Sequence, residues 1–207
     1  SNKKEDTGTN RSRTPNSKEF LDYISSGWQE SSNKAISQSP AADFAKARRD
    51  KVAVAFPNQI VVIEAGAPKT RSNDTEYRYR PHAAFAHLTG WGSETVPDSV
   101  LVIDTKESTQ ILFLRPTAGK DSDEFFANPA IGEFWVGARP TLDDVSSLLG
   151  IETRDLKDLS AYLDKKKTIS LEDSELAQFV SELRLVKDSY EIDQMRQAVA
   201  SSIRGFE

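Results

Sequence analysis

The chain contains two histidines, and both follow acidic residues in the stretch 70–91. Imidazole and carboxylate groups are common metal ligands, so His82 and His87, with Asp74 and Glu76, form a candidate metal site. Their spacing fits no common metal-binding template, and the chain has no His-Glu-x-x-His motif. Histidines in such settings are more often ordinary surface or core residues. We therefore predict that this chain supplies no metal ligand.

Sequence patterns for other kinds of catalysis are absent as well. The chain has no Gly-x-Gly-x-x-Gly and no Gly-Lys-Ser/Thr loop, which would indicate a site for a nucleotide phosphate. It has no cysteine, and its serines form no convincing Ser/His/Asp grouping. We predict that none of these residues is catalytic.

The same stretch sets arginines and carboxylates beside tyrosines, as in Thr-Glu-Tyr-Arg-Tyr-Arg at 75–80. Charged side chains beside aromatic rings usually form a hydrogen-bonded network or lie at an interface. An equally good interpretation is purely structural, with Arg71 paired to Asp74 and Arg80 paired to Glu76 to hold a loop in place. The residues alone leave both interpretations open.

Length and composition limit the classes of protein to consider. The 207 residues suit one domain with flanking segments, since domains most often have about 100 to 150 residues. A net charge of -5 argues against a nucleic-acid partner, which requires a basic surface. No apolar run approaches the roughly 18 residues of a membrane helix, and no signal peptide is recognisable. The absence of cysteine fits a reducing compartment.

Local patterns predict alternating helices and strands after a polar segment at 1–16, which we expect to be disordered. Ser17 and the Ser39-Pro40 pair are candidate helix starts, and the inner face of the second helix would carry Phe44, Ala47 or Arg48, Val52 and Ala55. Helices are predicted at 17–27, 39–56, 141–149, 156–163 and 174–183, and Thr141 and Asp144 have the spacing of a capping box. Strands are predicted at 60–63, 98–104, 110–114 and 151–154, with a loop at 116–132, and the strands at 98–104 and 110–114 should form a hairpin. This alternation favours an α/β fold.

The stretch 70–91 resembles the N-terminal domain of the Xaa-Pro aminopeptidases (aminopeptidase P), members of the creatinase/prolidase "pita-bread" metallopeptidase family. The family pattern is Arg-Ser-x-Asp-x-x-Tyr-x-(Tyr/Phe)-Arg, a short gap, and Phe-x-x-Leu-Thr-Gly. The matching positions are Arg71, Ser72, Asp74, Tyr77, Tyr79, Arg80, Phe85, Leu88, Thr89 and Gly90. The residues at 81–84 depart from the polar segment that is usual there. The resemblance implies a mixed β-sheet flanked by helices.

The C-terminal segment is similar to the linker and first helix of the catalytic domain in this family. The positions that match are Arg184, Lys187, Asp188, Glu191, Ile192, Met195, Arg196 and Ala198. Asp188 and Glu191 have the spacing of a capping box, and apolar residues recur after them at helical spacing. We expect a tail at 1–16, an N-terminal domain at 17–183, and at 184–207 the start of a truncated catalytic domain.

For the whole protein, the resemblance implies removal of the N-terminal residue that precedes a proline. The family uses two divalent metal ions, typically Mn2+, bound in the catalytic domain, so this chain alone should be inactive and hold no cofactor. The implied partners are its own C-terminal catalytic domain, further copies in a dimer or tetramer, and a peptide with proline in second position. No nucleic acid or membrane partner is expected, and the implied location is the cytoplasm.

The resemblance also suggests what the N-terminal domain does. In the family it lies at the mouth of the catalytic pocket and forms much of the contact between subunits, without taking part in catalysis. The candidate residues for the substrate pocket or the interface are Arg71, Asp74, Tyr77, Arg80 and Trp91. Two alternatives remain open: a prolidase, which cleaves only Xaa-Pro dipeptides, and a non-catalytic binding member of the same family.

Overall fold

The computed structural model describes residues 17–28, 36–73 and 75–207. The helices are α1 Lys18–Ile24, α2 Ala42–Ala55, α3 Ala83–Thr89, α4 Glu124–Ala127, α5 Glu133–Val136, α6 Leu142–Leu149, α7 Leu159–Leu163, α8 Ser174–Leu185 and α9 Ser189–Phe206. The strands are β1 Ile60–Glu64, β2 Thr70–Ser72, β3 Thr75–Glu76, β4 Val100–Asp104, β5 Thr109–Leu114, β6 Glu152–Asp155 and β7 Thr168–Ile169. The predicted tail at 1–16 lies outside the described residues, and the domain boundaries stay predictions.

The main sheet is mixed and has the strand order β6-β5-β4-β1-β7. Strand β4 pairs antiparallel with both β1 and β5, whereas β7 and β6 add to the two edges in parallel. The β4–β5 hairpin turns where Asp104 Oδ1 accepts hydrogen bonds from the backbone N–H groups of Lys106 and Glu107. These features confirm the predicted α/β fold with a mixed sheet, and they confirm the predicted hairpin.

Alternate residues of the central strands enter two separate cores, one on each face of the sheet. Val61 and Ile63 of β1 belong to the larger core, which also receives residues of α2, α3, α6 and α8. Ile60 and Val62 belong to the smaller core, which α7 and the turn before it cover. Because both faces are covered, β1 and β4 consist of almost continuous apolar residues.

The predicted helix starts at Ser17, Thr141 and Asp188 are confirmed. Ser17 Oγ accepts a hydrogen bond from the backbone N–H of Phe20 at 3.2 Å. Thr141 and Asp188 both begin complete capping boxes, closed by Asp144 and Glu191 respectively. Each of these signals needs only neighbouring residues, because a cap satisfies N–H groups within the first turn of its own helix.

The prediction for α2 is partly wrong. The helix begins at Ala42, because Ser39 and Pro40 form a turn before it in which Ser39 Oγ accepts from the N–H of Ala41. Its buried residues are Ala42, Ala45, Arg48, Arg49 and Val52. Phe44 is only partly buried and Ala55 is exposed. Two arginines occupy the inner face because acceptors on other elements meet both guanidinium groups.

The loop predicted at 116–132 is interrupted by α4, and β7 was not predicted. Helices α4 and α5 carry phenylalanines and a tryptophan that pack edge-on, as at 4.9 Å between the ring centroids of Phe126 and Phe134. Phe20 of α1 packs on the same Phe126 at 5.2 Å. Strand β7 has only two residues, which pair with Ile60 and Val61. Both features depend on partners that lie far away in the sequence.

Valines 52 and 54 of α2 provide a matched pair for testing the larger core. Val52 is fully buried and Val54 is 82% exposed. Val52→Ala should lower the free energy of unfolding by about 2 kcal/mol, because it removes buried methyl groups and leaves a cavity. Val54→Ala should change it by no more than about 0.5 kcal/mol. Urea denaturation measures both, and equal effects would contradict the packing described.

Candidate functional site

In the arginine- and tyrosine-rich stretch, β2 and β3 form a small antiparallel pair that is separate from the main sheet. The name ribbon is used below for the stretch 70–80, which contains this pair. Arg71, Tyr77 and Arg80 are exposed, and Tyr77 leaves 59% of its surface to solvent. The ribbon is tied to its own base by the N–H of Tyr77, which donates to the carbonyl of Lys69 at 2.9 Å. Asp74 lies outside the described residues. The ribbon therefore displays three of the candidate side chains at the surface.

The ion pair expected between Arg80 and Glu76 does not form within the described residues, and the expected pair of Arg71 with Asp74 falls outside them. Tyr79 instead fixes the end of the ribbon, since its hydroxyl donates to the carbonyl of Gly66 at 2.8 Å. Burial, helped by the negative charge of Asp98, raises the pKa of Tyr79 to about 12. The hydroxyl thus remains a donor at any physiological pH.

Trp91, the remaining candidate, lies in the larger core and is 3% exposed. Gly90 ends α3 in the left-handed conformation, with φ of 71°. A Cβ at this glycine would lie 3.2 Å from the Cβ of Ala41 in the turn before α2. Thr89 Oγ1 then accepts from the N–H of Trp91 at 3.1 Å, which directs the indole inward. Within the described structure the indole Nε1 has no hydrogen-bond partner.

Sequence reasoning missed the role of Arg48, which joins α2 to α3 and to the start of α9. Its Nε and Nη2 atoms donate to Asp188 Oδ2 at 3.0 and 2.5 Å, and its Nη1 donates to the carbonyl of His87 at 2.9 Å. Glu191 Oε2 lies 3.7 Å from Nη2. The side chain of Arg48 is only 8% exposed. No local signal marks this residue, because adjacent arginines on a helix usually face solvent.

His87, considered above as a metal ligand, lies instead against this charged group. Its Nε2 is 3.5 Å from Glu191 Oε1, and its Nδ1 is buried without a partner among the described residues. Burial, followed by the positive charge of Arg48, lowers the pKa of His87 to about 4, although Glu191 opposes the shift. His82 has a different role, since its Nδ1 accepts from the N–H of Ala84 at the start of α3.

A groove-like pocket of about 450 Å³ lies where α2, α3 and the start of α9 meet. Its polar lining comes from Arg48, His87, Arg184, Lys187, Tyr190 and Glu191. Small residues, including Gly90 and Gly92, form the rest of the wall. The pocket combines three cationic side chains with a carboxylate, so it is suited to polar groups.

Beyond its first turn, α9 presents an apolar stripe to solvent. The exposed fractions are 39% for Ile192, 57% for Met195, 59% for Val199 and 55% for Ile203. These side chains line an open, mainly apolar groove on the helix. A contiguous apolar surface of this kind usually indicates an interface.

Two other features bear on the class of protein. In the described ranges, no three or more histidine, aspartate or glutamate side chains come together in a way that could hold a metal ion. The side chains in these ranges therefore do not fit a metal centre. Within the same ranges, no helix has the length and apolar character needed to cross a membrane.

Comparison with known proteins identifies the family. The family model described as "Aminopeptidase P, N-terminal domain" matches residues 45–172. The chain belongs to this family. The matched region runs from the first turn of α2 to the loop before α8, and it includes the ribbon, α3 and the whole main sheet. The predicted resemblance is thereby confirmed.

Relatives of this aminopeptidase P N-terminal domain include two enzymes of Streptomyces coelicolor. Xaa-Pro aminopeptidase 1 is 34% identical over 92% of the chain, and Xaa-Pro aminopeptidase 2 is 30% identical over the same share. The chain spans only 43% and 44% of their respective lengths.

Solved structures of aminopeptidase P also match the chain. The low-pH form of the Escherichia coli enzyme is 25% identical, with a TM-score of 0.47, over 63% of this chain and 27% of that one. The Pseudomonas aeruginosa enzyme is 22% identical, with a TM-score of 0.48, over 61% and 26% respectively.

The low pKa of His87 predicts how the stability of the domain depends on pH. The folded pKa of about 4 lies below the ordinary value of 6.5, so the unfolded chain binds this proton more readily. The contribution of His87 is complete above pH 6.5 and is lost as the pH falls towards 4. The loss is at most about 3 kcal/mol in the free energy of unfolding.

His87→Gln should remove this component, so its urea-denaturation midpoint should fall less than that of the wild type between pH 7 and pH 4.5. The matched control is Val54→Ala, a change at an exposed and uncharged position, which retains His87 and should lose stability in parallel with the wild type. A His87→Gln curve that also runs parallel to the wild type would contradict the prediction.

Proposed function

We propose that the whole protein is a metal-dependent Xaa-Pro aminopeptidase and that this chain is its non-catalytic N-terminal domain, which contributes to substrate access and oligomerisation. The observation that carries the proposal is the 34% identity over 92% of the chain to an Xaa-Pro aminopeptidase. The family model for the N-terminal domain, which matches residues 45–172, supports the same assignment.

The chemistry is assigned to the part of the protein outside this chain. A pair of divalent ions, Mn2+ in our proposal, would lower the pKa of a bound water and polarise the scissile carbonyl. The described residues do not fit such a centre, so we assign them no step of the hydrolysis. We propose that they act through binding and placement, in a homo-oligomer (a dimer or tetramer) located in the cytoplasm.

The surface of α9 supports an arrangement in which this domain contacts a catalytic domain. Its exposed apolar stripe would cost free energy if it stayed in water, and it follows directly after the charged contacts of Asp188 and Glu191. One end of the helix is thus held by this domain while the other end offers an apolar surface to a partner. We propose that the catalytic domain covers that surface.

Hydrolysis of a tripeptide Xaa-Pro-Xaa with added Mn2+ tests the proposal. The whole protein should release the first residue, and the 207-residue chain under the same conditions should release none. We expect no release by this chain because we assign the metal ligands to the part of the protein outside it. Cleavage by this chain alone would show that a site within it has been overlooked, with His82, His87, Asp74 and Glu76 as the first residues to substitute.

The same assay separates the two alternatives. A prolidase would cleave an Xaa-Pro dipeptide and leave the tripeptide intact, whereas an aminopeptidase would cleave the tripeptide. A non-catalytic binding member would cleave neither substrate, and its metal content after dialysis would be negligible.

We further propose that the exposed candidate residues of the ribbon contact the peptide or a neighbouring subunit, with Tyr77 and Arg80 as the main contacts and Arg71 and Asp74 beside them. Their exposure supports this role, since no partner within the described structure occupies the side chains of Tyr77 and Arg80. We propose that Trp91 acts indirectly, because its side chain is buried in the larger core together with residues of α3. Binding at these positions would place the substrate without cleaving it.

In the whole enzyme, Tyr77→Ala and Arg80→Ala should each raise KM for a long peptide roughly fivefold with little change in kcat, as expected for a lost contact of about 1 kcal/mol. Arg78→Ala is the matched control, since Arg78 is an exposed arginine of the same segment that is not a candidate. Equal effects from Arg78→Ala and Arg80→Ala would mean that the arginines act only through net charge, and an unchanged KM in Tyr77→Ala and Arg80→Ala would contradict the proposed contacts.

A further inference from the structure

We propose that Arg48 is a positioning residue that clamps the first turn of α9 and thereby fixes the direction in which this helix leaves the domain. The proposal rests on the proposed function, because the direction of α9 would set how the catalytic domain lies against this one. The residues that complete the clamp are His87, Asp188 and Glu191, with a ring contact from Phe44.

Helix α9 is attached to the domain at one end. It has 18 residues and a length of about 27 Å. In the described part of the chain, its ion pairs and ring contacts with other elements involve only Asp188, Tyr190 and Glu191. Every residue from 192 to 206 is exposed. A small rotation of the first turn of α9 would therefore displace the C-terminal end of this helix by a large distance.

Arg48 provides a rigid attachment at this point. Its guanidinium is planar and donates hydrogen bonds to two elements at once. The acceptors are the carbonyl of His87 in α3 and the carboxylate of Asp188 before α9. A planar group held on both sides restricts rotation, which a single flexible ammonium would not do. The ion pair is largely withdrawn from water, because the Arg48 side chain is 8% exposed and that of Asp188 is 30% exposed.

A second contact on the same turn prevents α9 from pivoting about the ion pair. The ring of Tyr190 stacks on that of Phe44 from α2, with centroids 5.5 Å apart. Glu191 Oε1 also lies 3.5 Å from His87 Nε2. Contacts made by three residues at the start of the helix define an orientation, whereas one contact defines only a position.

The cap of α9 and the clamp share the carboxylate of Asp188 but use different oxygens of it. Asp188 Oδ1 accepts from the N–H of Glu191, and Glu191 Oε2 accepts from the N–H of Asp188, which closes the capping box. Asp188 Oδ2 is the oxygen that meets Arg48. The start of the helix can therefore remain intact when the clamp is removed, so the two roles can be separated by experiment.

The test measures a distance across the molecule. The chain has no cysteine, so the double variant Ser160→Cys, Gln197→Cys can be spin-labelled cleanly. Both positions are exposed, and Ser160 lies in α7, on the opposite face of the sheet from α2 and α3. Pulsed electron paramagnetic resonance should give one narrow distance distribution. Adding Arg48→Met should roughly double its width, because the charged attachment is lost.

Asp188→Asn is the second test variant. Asparagine is an equally good N-cap, so the helix should keep its start while the ion pair with Arg48 loses its charge. The distance distribution should again broaden, with unchanged helix content by circular dichroism. This variant decides the question if Arg48→Met fails to fold. The matched control is Lys46→Met, which breaks an exposed ion pair with Asp50 on the same helix and should leave the distribution narrow.

Narrow and unshifted distributions in a folded Arg48→Met or in Asp188→Asn would overturn the proposal. In the whole enzyme, Asp188→Asn should lower kcat/KM for the tripeptide by about tenfold or more at unchanged metal content, because the catalytic domain loses its alignment. If the wild-type enzyme cleaves no Xaa-Pro peptide, the proposed function fails, while the distance measurement still decides whether the clamp exists.

Discussion

The structure depends on the burial of two neighbouring guanidinium groups in α2. A buried charge costs several kcal/mol unless acceptors replace the water it loses, so each arginine must reach a specific partner. Arg48 reaches the carbonyl of His87 and the carboxylate of Asp188. Arg49 donates to the carbonyl of Leu88 and to the side chain of Gln110 near the start of β5. The two residues thus connect α2 to α3, to the start of α9 and to the sheet.

The two arginines differ in how their charge is balanced. Arg48 has a carboxylate as its direct partner, whereas Arg49 has two neutral oxygens, with the carboxylate of Asp50 further along through Gln110. Burial accordingly lowers the pKa of Arg49 to about 10, although the charge of Asp50 opposes the shift. Arg49 therefore ties α2 to the fixed core of the domain. Arg48 instead holds the start of α9, a helix whose remaining residues are exposed.

Sequence patterns predicted the features that neighbouring residues determine. The capping boxes at Thr141 and Asp188 and the β4–β5 hairpin belong to this class, because their hydrogen bonds close within a few residues. The patterns failed where the deciding partner is distant. Strand β7 exists only through its pairing with β1, and the inner position of Arg48 depends on Asp188, 140 residues away. Among the described candidate site residues, Trp91 is buried in the larger core, and the motif gave no indication of this burial.

The family motif combines two physical tasks that its spacing alone could not separate. Its second half, with Phe85, Leu88 and Gly90, is buried or closely packed against α2. Gly90 lets the end of α3 approach the turn before α2, and this approach brings the carbonyls of α3 within reach of the arginines. The first half, with Tyr77 and Arg80, remains exposed on the ribbon. The packing half therefore supports the attachment of α9, whereas the exposed half is the part for which we proposed contact with a peptide or a second subunit.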